Sequence, residues 1–193
     1  MIKIFFTMAM FLITACASFD KTNILPGQRV PGPAVSFIAP GDTPWFMLNY
    51  ATGNRLKLGQ INYGDSFSIR VALNRGPRMG MYTSASDHLT ALKAHIRSKG
   101  QPTGYKLHAH NEYLATTYGP LCVGYDSLGE DWRGRNNAGP AMVDVIGLTC
   151  AHTEIKNVLV NVEITRRYEV DAAPVNLSLL AETVFASLEY DEI

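Results

Sequence analysis

The sequence predicts a small single domain of the α+β class, an antiparallel sheet covered on one face by two helices. Two observations predict this architecture. Several segments alternate apolar and polar residues, as strands with one buried face do, and two other segments repeat apolar residues at helical spacing. The chain has 193 residues, of which 47% are hydrophobic, and this is enough for one domain with its own core.

Period-two alternation predicts the strands. The longest example covers residues 158–164, where valine or isoleucine occupies every second position, and residues 66–73 and 56–58 repeat the pattern. Such strands usually form antiparallel sheets with one solvated face. Further strands are predicted in four segments, residues 44–50, 105–114, 121–125 and 141–150.

Two helices accompany these strands. The first is predicted over residues 87–99, with Ser86 as its N-cap and Gly100 as the left-handed residue that ends it. The second is predicted over residues 177–188, with an apolar stripe that packs on the sheet. Acidic residues follow at the negative end of its dipole, so fraying is expected unless a basic partner lies near. A long late strand followed by a terminal helix is similar to small domains of the Mog1 and PsbP type.

Residues 1–15 are predicted to be a signal peptide. Lys3 supplies the positive start, residues 4–14 are nearly all apolar, and Ala15 is the small residue that precedes a cleavage site. The apolar run is too short for a membrane-spanning helix, which needs about 20 residues. We therefore expect export and cleavage.

The residues Ile13-Thr14-Ala15-Cys16 resemble the lipobox of bacterial lipoproteins, with Ile and Thr in the first two places. The resemblance implies a diacylglyceryl thioether on Cys16 and, after cleavage, an acyl chain on its amine. Two or three such chains make a stable membrane anchor. Ala17 after the cysteine implies the outer membrane, with the domain facing the periplasm. The alternative is a secreted protein that is cut near Ala17.

Residues 16–33 are predicted to be the lipidated cysteine and a tether, and residues 34–193 the globular domain. Proline and glycine recur over residues 26–33, so this stretch cannot continue a helix and suits an extended linker. The formal net charge is +0, which argues against a nucleic-acid partner.

Cys122 and Cys150 remain when Cys16 carries the anchor. Thiols of exported proteins are normally oxidised, so a disulfide between these two cysteines is predicted. The alternative is a pair of buried free thiols that pack as small apolar side chains.

Tyr63-Gly64-Asp65-Ser66 resembles the Gly-Asp-Ser block of the GDSL or SGNH hydrolases, which would make Ser66 a nucleophile. The Asp-x-x-His and Gly-x-Asn-Asp blocks of that family are absent from the chain. The residues after Ser66 also alternate as a strand and do not open a helix. A turn before a strand is the favoured interpretation, and no catalytic residue is predicted.

His108, His110 and Glu112 are weak candidates for metal ligands. Alternate residues of a strand share a face, so two imidazoles and a carboxylate could reach one zinc ion. Lys106 lies on the same predicted face, however, and the favoured interpretation is the solvated side of an amphipathic strand. No metal site and no cofactor are therefore predicted.

Trp132, Arg133 and Arg135 are the candidate partner-binding residues. They lie in a predicted polar loop, residues 126–139, whose ends the disulfide would tether, and Trp and Arg are enriched at interface hot spots. In the alternative, Trp132 folds back onto the core and the arginines pair with Glu130 and Asp131.

Three classes of function remain. The leading hypothesis is a lipid-anchored, non-catalytic protein that binds another envelope protein, as an accessory subunit, an assembly factor or an inhibitor of the immunity type. The second is a lipoprotein that binds a small ligand or a metal, in a cleft under the helices or at His108. An envelope hydrolase ranks last, because no complete catalytic arrangement is visible.

Overall fold

The computed structural model describes residues 23–49, 53–62, 65–75, 81–100, 102–133 and 139–191. The predicted signal peptide and Cys16 lie outside these residues. The strands described are β1 (Asn23–Ile24), β2 (Arg29–Pro31), β3 (Val35–Ile38), β4 (Trp45–Asn49), β5 (Arg55–Asn62), β6 (Asp65–Arg75), β7 (Tyr105–Leu114), β8 (Cys122–Asp131), β9 (Ala141–Ala151), β10 (Val158–Tyr168) and β11 (Glu189–Tyr190). The helices are α1 (Ala85–Lys99) and α2 (Leu177–Ala186), with a 3₁₀ turn at Thr116–Tyr118.

The strands form two sheets. The larger has the order β1-β4-β5-β6-β10-β9-β8-β7 and the smaller the order β11-β3-β2, and every pairing described is antiparallel. The predicted class, α+β with an antiparallel sheet and two helices in a small single domain, is confirmed, and most of the structure is sheet.

The core lies on one face of the large sheet. Val162 stands opposite Val71 on one side and Leu148 on the other, so the predicted alternation aligns across three strands. Helix α2 covers this face with Leu177, Ala181, Val184 and Phe185, which are all buried. Full burial of each large aliphatic side chain contributes about 1.5–3 kcal/mol.

Helix α1 lies on the opposite face, which corrects the prediction that both helices cover one face. Its His88 and Leu92 line a cleft together with Arg70 and Asn161. Those two strand residues alternate with Val71 and Val162, and therefore point away from α2. Polarity alone did not distinguish a solvated face from one that a second helix covers.

The C-terminal end of α1 is as predicted, at Lys99 before Gly100 with a φ of 63°, whereas the start of α1 and the end of α2 differ from the predictions. Helix α1 begins at Ala85, because Ser84, two residues before the predicted cap, accepts a hydrogen bond of 3.1 Å from the Asp87 amide. Helix α2 ends at Ala186 because the chain turns into β11, which pairs with β3. Glu189 there lies 2.7 Å from Arg29, and this arginine is the basic partner that the acidic end required.

The predicted tether overlaps the fold from residue 23 onward. Strand β1 pairs with β4 and β2 pairs with β3, and Ile24 and Val30 are buried in the core. Proline excludes a helix but is compatible with a short edge strand such as β2, where Pro31 is the last residue. Residues 23–31 are therefore part of the fold, in contrast to the prediction of a tether.

The predicted disulfide between Cys122 and Cys150 is confirmed. It joins β8 to β9 at a position where the two cysteines stand directly opposite each other. Among the described residues, no helix is both long and apolar enough to cross a membrane.

Candidate functional site

The predicted recognition loop is mostly strand. Strand β8 continues to Asp131, which stands opposite Ala141 of β9, so residues 126–131 belong to the sheet. The disulfide lies at the other end of this hairpin, nine positions and about 30 Å from Asp131. It therefore does not tether the ends of the connection directly, in contrast to the prediction.

Asp131 is the centre of an ion-pair cluster at this end of the hairpin. Its side chain is 5% exposed, and it accepts hydrogen bonds from Arg133 Nε at 2.8 Å and Nη2 at 3.1 Å, and from the Arg133 backbone at 3.0 Å. Arg167 Nη1 donates at 2.6 Å to Asp131 Oδ2, the oxygen that also accepts from Arg133 Nη2. The bonds from Arg133, helped by the charge of Arg167, lower the pKa of Asp131 to about 2.

Trp132 is exposed beside this cluster. Its side chain is 54% exposed, so it does not fold back onto the core. Its backbone N–H donates to Gly104 O at 2.8 Å, which fixes the main chain at this point. Arg133 does pair with Asp131, as the alternative prediction held, while Arg135 lies outside the described residues. Trp132, Arg133 and Arg167 are called the Trp132 patch below.

The structure separates the metal-ligand candidates. The register of β7 against β8 shifts between Leu107 and Ala109, which breaks the alternation that the sequence analysis assumed. His108 Nε2 lies 2.8 Å from Glu130 Oε1, whereas His110 stands opposite Ser127. Ser127 and Glu130 have opposite parity on β8, so the two imidazoles lie on opposite faces. No group of three or more metal-ligating side chains occurs within the described part of the chain.

His110 and Glu112 keep a shared face. His110 Nε2 lies 3.1 Å from Glu112 Oε1, within ion-pair distance but without hydrogen-bond geometry. On the far face, the hydrogen bond from His108 lowers the pKa of Glu130. Each histidine is thus associated with its own carboxylate.

Ser66 lies inside a strand. Strand β6 begins at Asp65, and Ser66 stands opposite Ile61 of β5 and Arg167 of β10. The Asp65 carboxylate accepts hydrogen bonds from Arg166 at 2.9 and 2.6 Å. The strand-to-helix turn of a hydrolase is absent at Ser66, and Tyr63 and Gly64 lie outside the described residues.

Two clefts flank the sheet. One, of about 630 Å³, lies under α2 and carries the carboxylates of Asp126, Asp144 and Glu182. Burial raises the pKa of Asp144, and Asp126 adds to this rise. The other, of about 520 Å³, lies between α1 and the opposite face of the sheet. The sequence analysis proposed a cleft under the helices but not its lining residues, because those of this second cleft come from four strands and a helix distant in sequence.

Comparison with known proteins gives little further. No protein-family model and no curated protein sequence match the chain. One solved structure with a similar fold is the Ran-binding protein Mog1p of Saccharomyces cerevisiae, at 9% sequence identity and a TM-score of 0.49, over 89% of this chain and 95% of that one. A similarity of this size carries no argument about function.

Proposed function

We propose that this chain is a lipid-anchored protein of the bacterial envelope that binds another protein through the Trp132 patch and catalyses no reaction. The anchor is proposed from the lipobox that ends at Cys16. It would hold the protein at the outer membrane, with the domain facing the periplasm. The observation that carries the binding proposal is a large exposed aromatic side chain directly beside a buried, fully engaged carboxylate.

The Trp132 patch has the physical properties of a binding hot spot. Tryptophan and arginine contribute most to binding energy in many interfaces. The cluster around Asp131 fixes Arg133 and Arg167 before any partner arrives, so less conformational entropy is lost on association. The hydrogen bond from the Trp132 amide to Gly104 O also lowers this entropy loss, because it fixes the main chain beside the tryptophan.

The partner is proposed to be another envelope protein. An accessory subunit, an assembly factor and an inhibitor of the immunity type all need only an anchor and an adhesive surface. Ser66 in the middle of a sheet and the separated histidines offer no catalytic arrangement, which supports binding in preference to hydrolysis.

Co-purification tests the binding proposal. The tagged full-length protein is extracted from its own envelope in mild detergent, and co-purifying proteins are quantified by mass spectrometry. We expect one protein in a comparable amount, reduced at least tenfold by Trp132→Ala. Leu179→Ala is the matched control, because Leu179 is 60% exposed on α2 and does not belong to the patch. Recovery of the protein alone, or equal losses in both variants, would contradict the proposal.

Cell fractionation tests the anchor separately. Replacing the cysteine in Cys16→Ser removes the proposed lipidation site, so the protein should leave the membrane fraction and lose incorporated labelled palmitate. An unchanged distribution would show that the lipobox assignment is wrong while leaving the Trp132 patch in place.

A further inference from the structure

The cleft under α1, called the α1 cleft here, has the size of a small-molecule site. Its volume of about 520 Å³ falls within the range of such sites. The side chains that line it combine cationic, polar and apolar groups: Arg55, Arg70, Ala72, Asn74, Tyr82, His88, Ala91, Leu92, His95, Thr149, Leu159 and Asn161. None of these lining residues is acidic.

Two arginines give the α1 cleft its charge. Arg55 is exposed at the rim. Arg70 bonds Glu163 at 2.9 Å through Nη2, and with 46% of its side chain exposed it keeps other N–H donors available. Glu163 is held in turn by the Tyr125 hydroxyl at 2.8 Å. The arginine pair therefore presents guanidinium donors to a cleft without a carboxylate in its lining.

His88 is a buried residue in the lining of the α1 cleft. Its ring is 1% exposed and stacks on Tyr82, with centroids 4.1 Å apart and an interplanar angle of 8°. Because the Leu121 carbonyl can only accept, the 2.8 Å contact assigns the proton to Nδ1. Burial lowers the pKa of His88.

We propose that the α1 cleft binds a small organic carboxylate with an apolar body. Guanidinium groups match the planar geometry of a carboxylate and bind it through paired hydrogen bonds. Ala91, Leu92 and Leu159 offer the apolar wall on which the body of the ligand rests. The site lies on the α1 side of the sheet and does not depend on the Trp132 patch, so it extends the proposed function.

Titration calorimetry with benzoate as probe, on the full-length protein in mild detergent, tests this site. Benzoate combines a carboxylate with a flat apolar ring, and benzamide is the neutral control of the same shape. We expect saturable binding of benzoate and at least tenfold weaker binding of benzamide, because one charge-assisted hydrogen-bond pair is lost.

Three variants locate the binding. Arg55→Gln should weaken benzoate binding at least tenfold, and Ala91→Trp should abolish it by filling the cleft without changing a charge. Arg97→Gln, an exposed arginine of α1 outside the cleft, should leave it unchanged. The proposal is overturned if benzoate does not bind, if benzamide binds equally, or if Arg55→Gln and Arg97→Gln have the same effect.

Discussion

Replacing the buried carboxylate in Asp131→Asn should destabilise the protein and loosen the Trp132 patch. Among described residues, Asp131 accepts three hydrogen bonds from Arg133 and one from Arg167. Asparagine offers one oxygen and one donor amide; with its oxygen at the Oδ1 position, the amide faces the N–H donors of both Arg133 Nη2 and Arg167 Nη1. The bonds from the Arg133 amide and Nε to Oδ1 can survive, but the bond that holds Arg167 is lost.

The size of this effect follows from the pKa of Asp131. Its decrease from 3.8 to about 2 corresponds to about 2.5 kcal/mol of stabilisation. Arg133 is 59% exposed, so water replaces part of what it loses, and the expected loss is about 1.5 kcal/mol.

Urea denaturation measures the loss. With a slope of about 2 kcal/mol/M, the midpoint should fall by about 0.7 M at an unchanged slope. Asp171→Asn, at an exposed site, is the control and should leave the midpoint unchanged.

The pH dependence of this stability loss is a second measurement. A carboxylate whose folded pKa lies below its unfolded pKa stabilises above the unfolded value, and this stability is lost as the pH falls toward the folded value. The difference between wild type and Asp131→Asn should therefore shrink between about pH 4 and pH 2. A loss below about 0.5 kcal/mol at pH 7, or one that persists unchanged at pH 2, would show that the ionised Asp131 does not stabilise the fold.

Two further predictions concern stability. The double variant Cys122→Ala/Cys150→Ala opens a loop with a sequence separation of 28 and should lose about 3.6 kcal/mol in urea denaturation, as the wild type should on reduction; a loss below about 1 kcal/mol would contradict this. Arg166→Met should lower the free energy of unfolding by about 3–5 kcal/mol, because Arg166 is 3% exposed and its removal leaves the Asp65 carboxylate without its cation. Adding Asp65→Asn should restore at least half of that loss, and no recovery would show that the ion pair is not its cause.

Patterns that repeat along the chain were readable from the sequence. Every second residue of β10 from Val158 to Ile164 is buried, because successive side chains of a regular strand point to opposite faces of the sheet. The disulfide was predictable because only one pair remained once Cys16 was assigned to the anchor. The first follows from periodicity within one segment and the second from the number of cysteines in the chain.

Other features depend on what faces a segment from elsewhere in the chain. One shifted position between Leu107 and Ala109 moved His108 to the far side of β7, and nothing in the local alternation marks it. The α1 cleft brings Arg55 and Asn161 together through strand pairing, which a single sequence does not specify. The pairing of residues 23–31 could not be predicted for the same reason. Proline indicates which structures a segment cannot form, but it does not indicate which strand lies beside it.

Site-specific photo-crosslinking tests the central proposal, that the Trp132 patch holds a protein partner, most directly. A photoreactive phenylalanine analogue is placed at position 132 in the full-length protein, and at position 179 as a control of similar exposure, in intact cells of the source. We expect one discrete cross-linked product of defined mass from position 132 and none from position 179. The same product from both positions, or none from position 132, would contradict it.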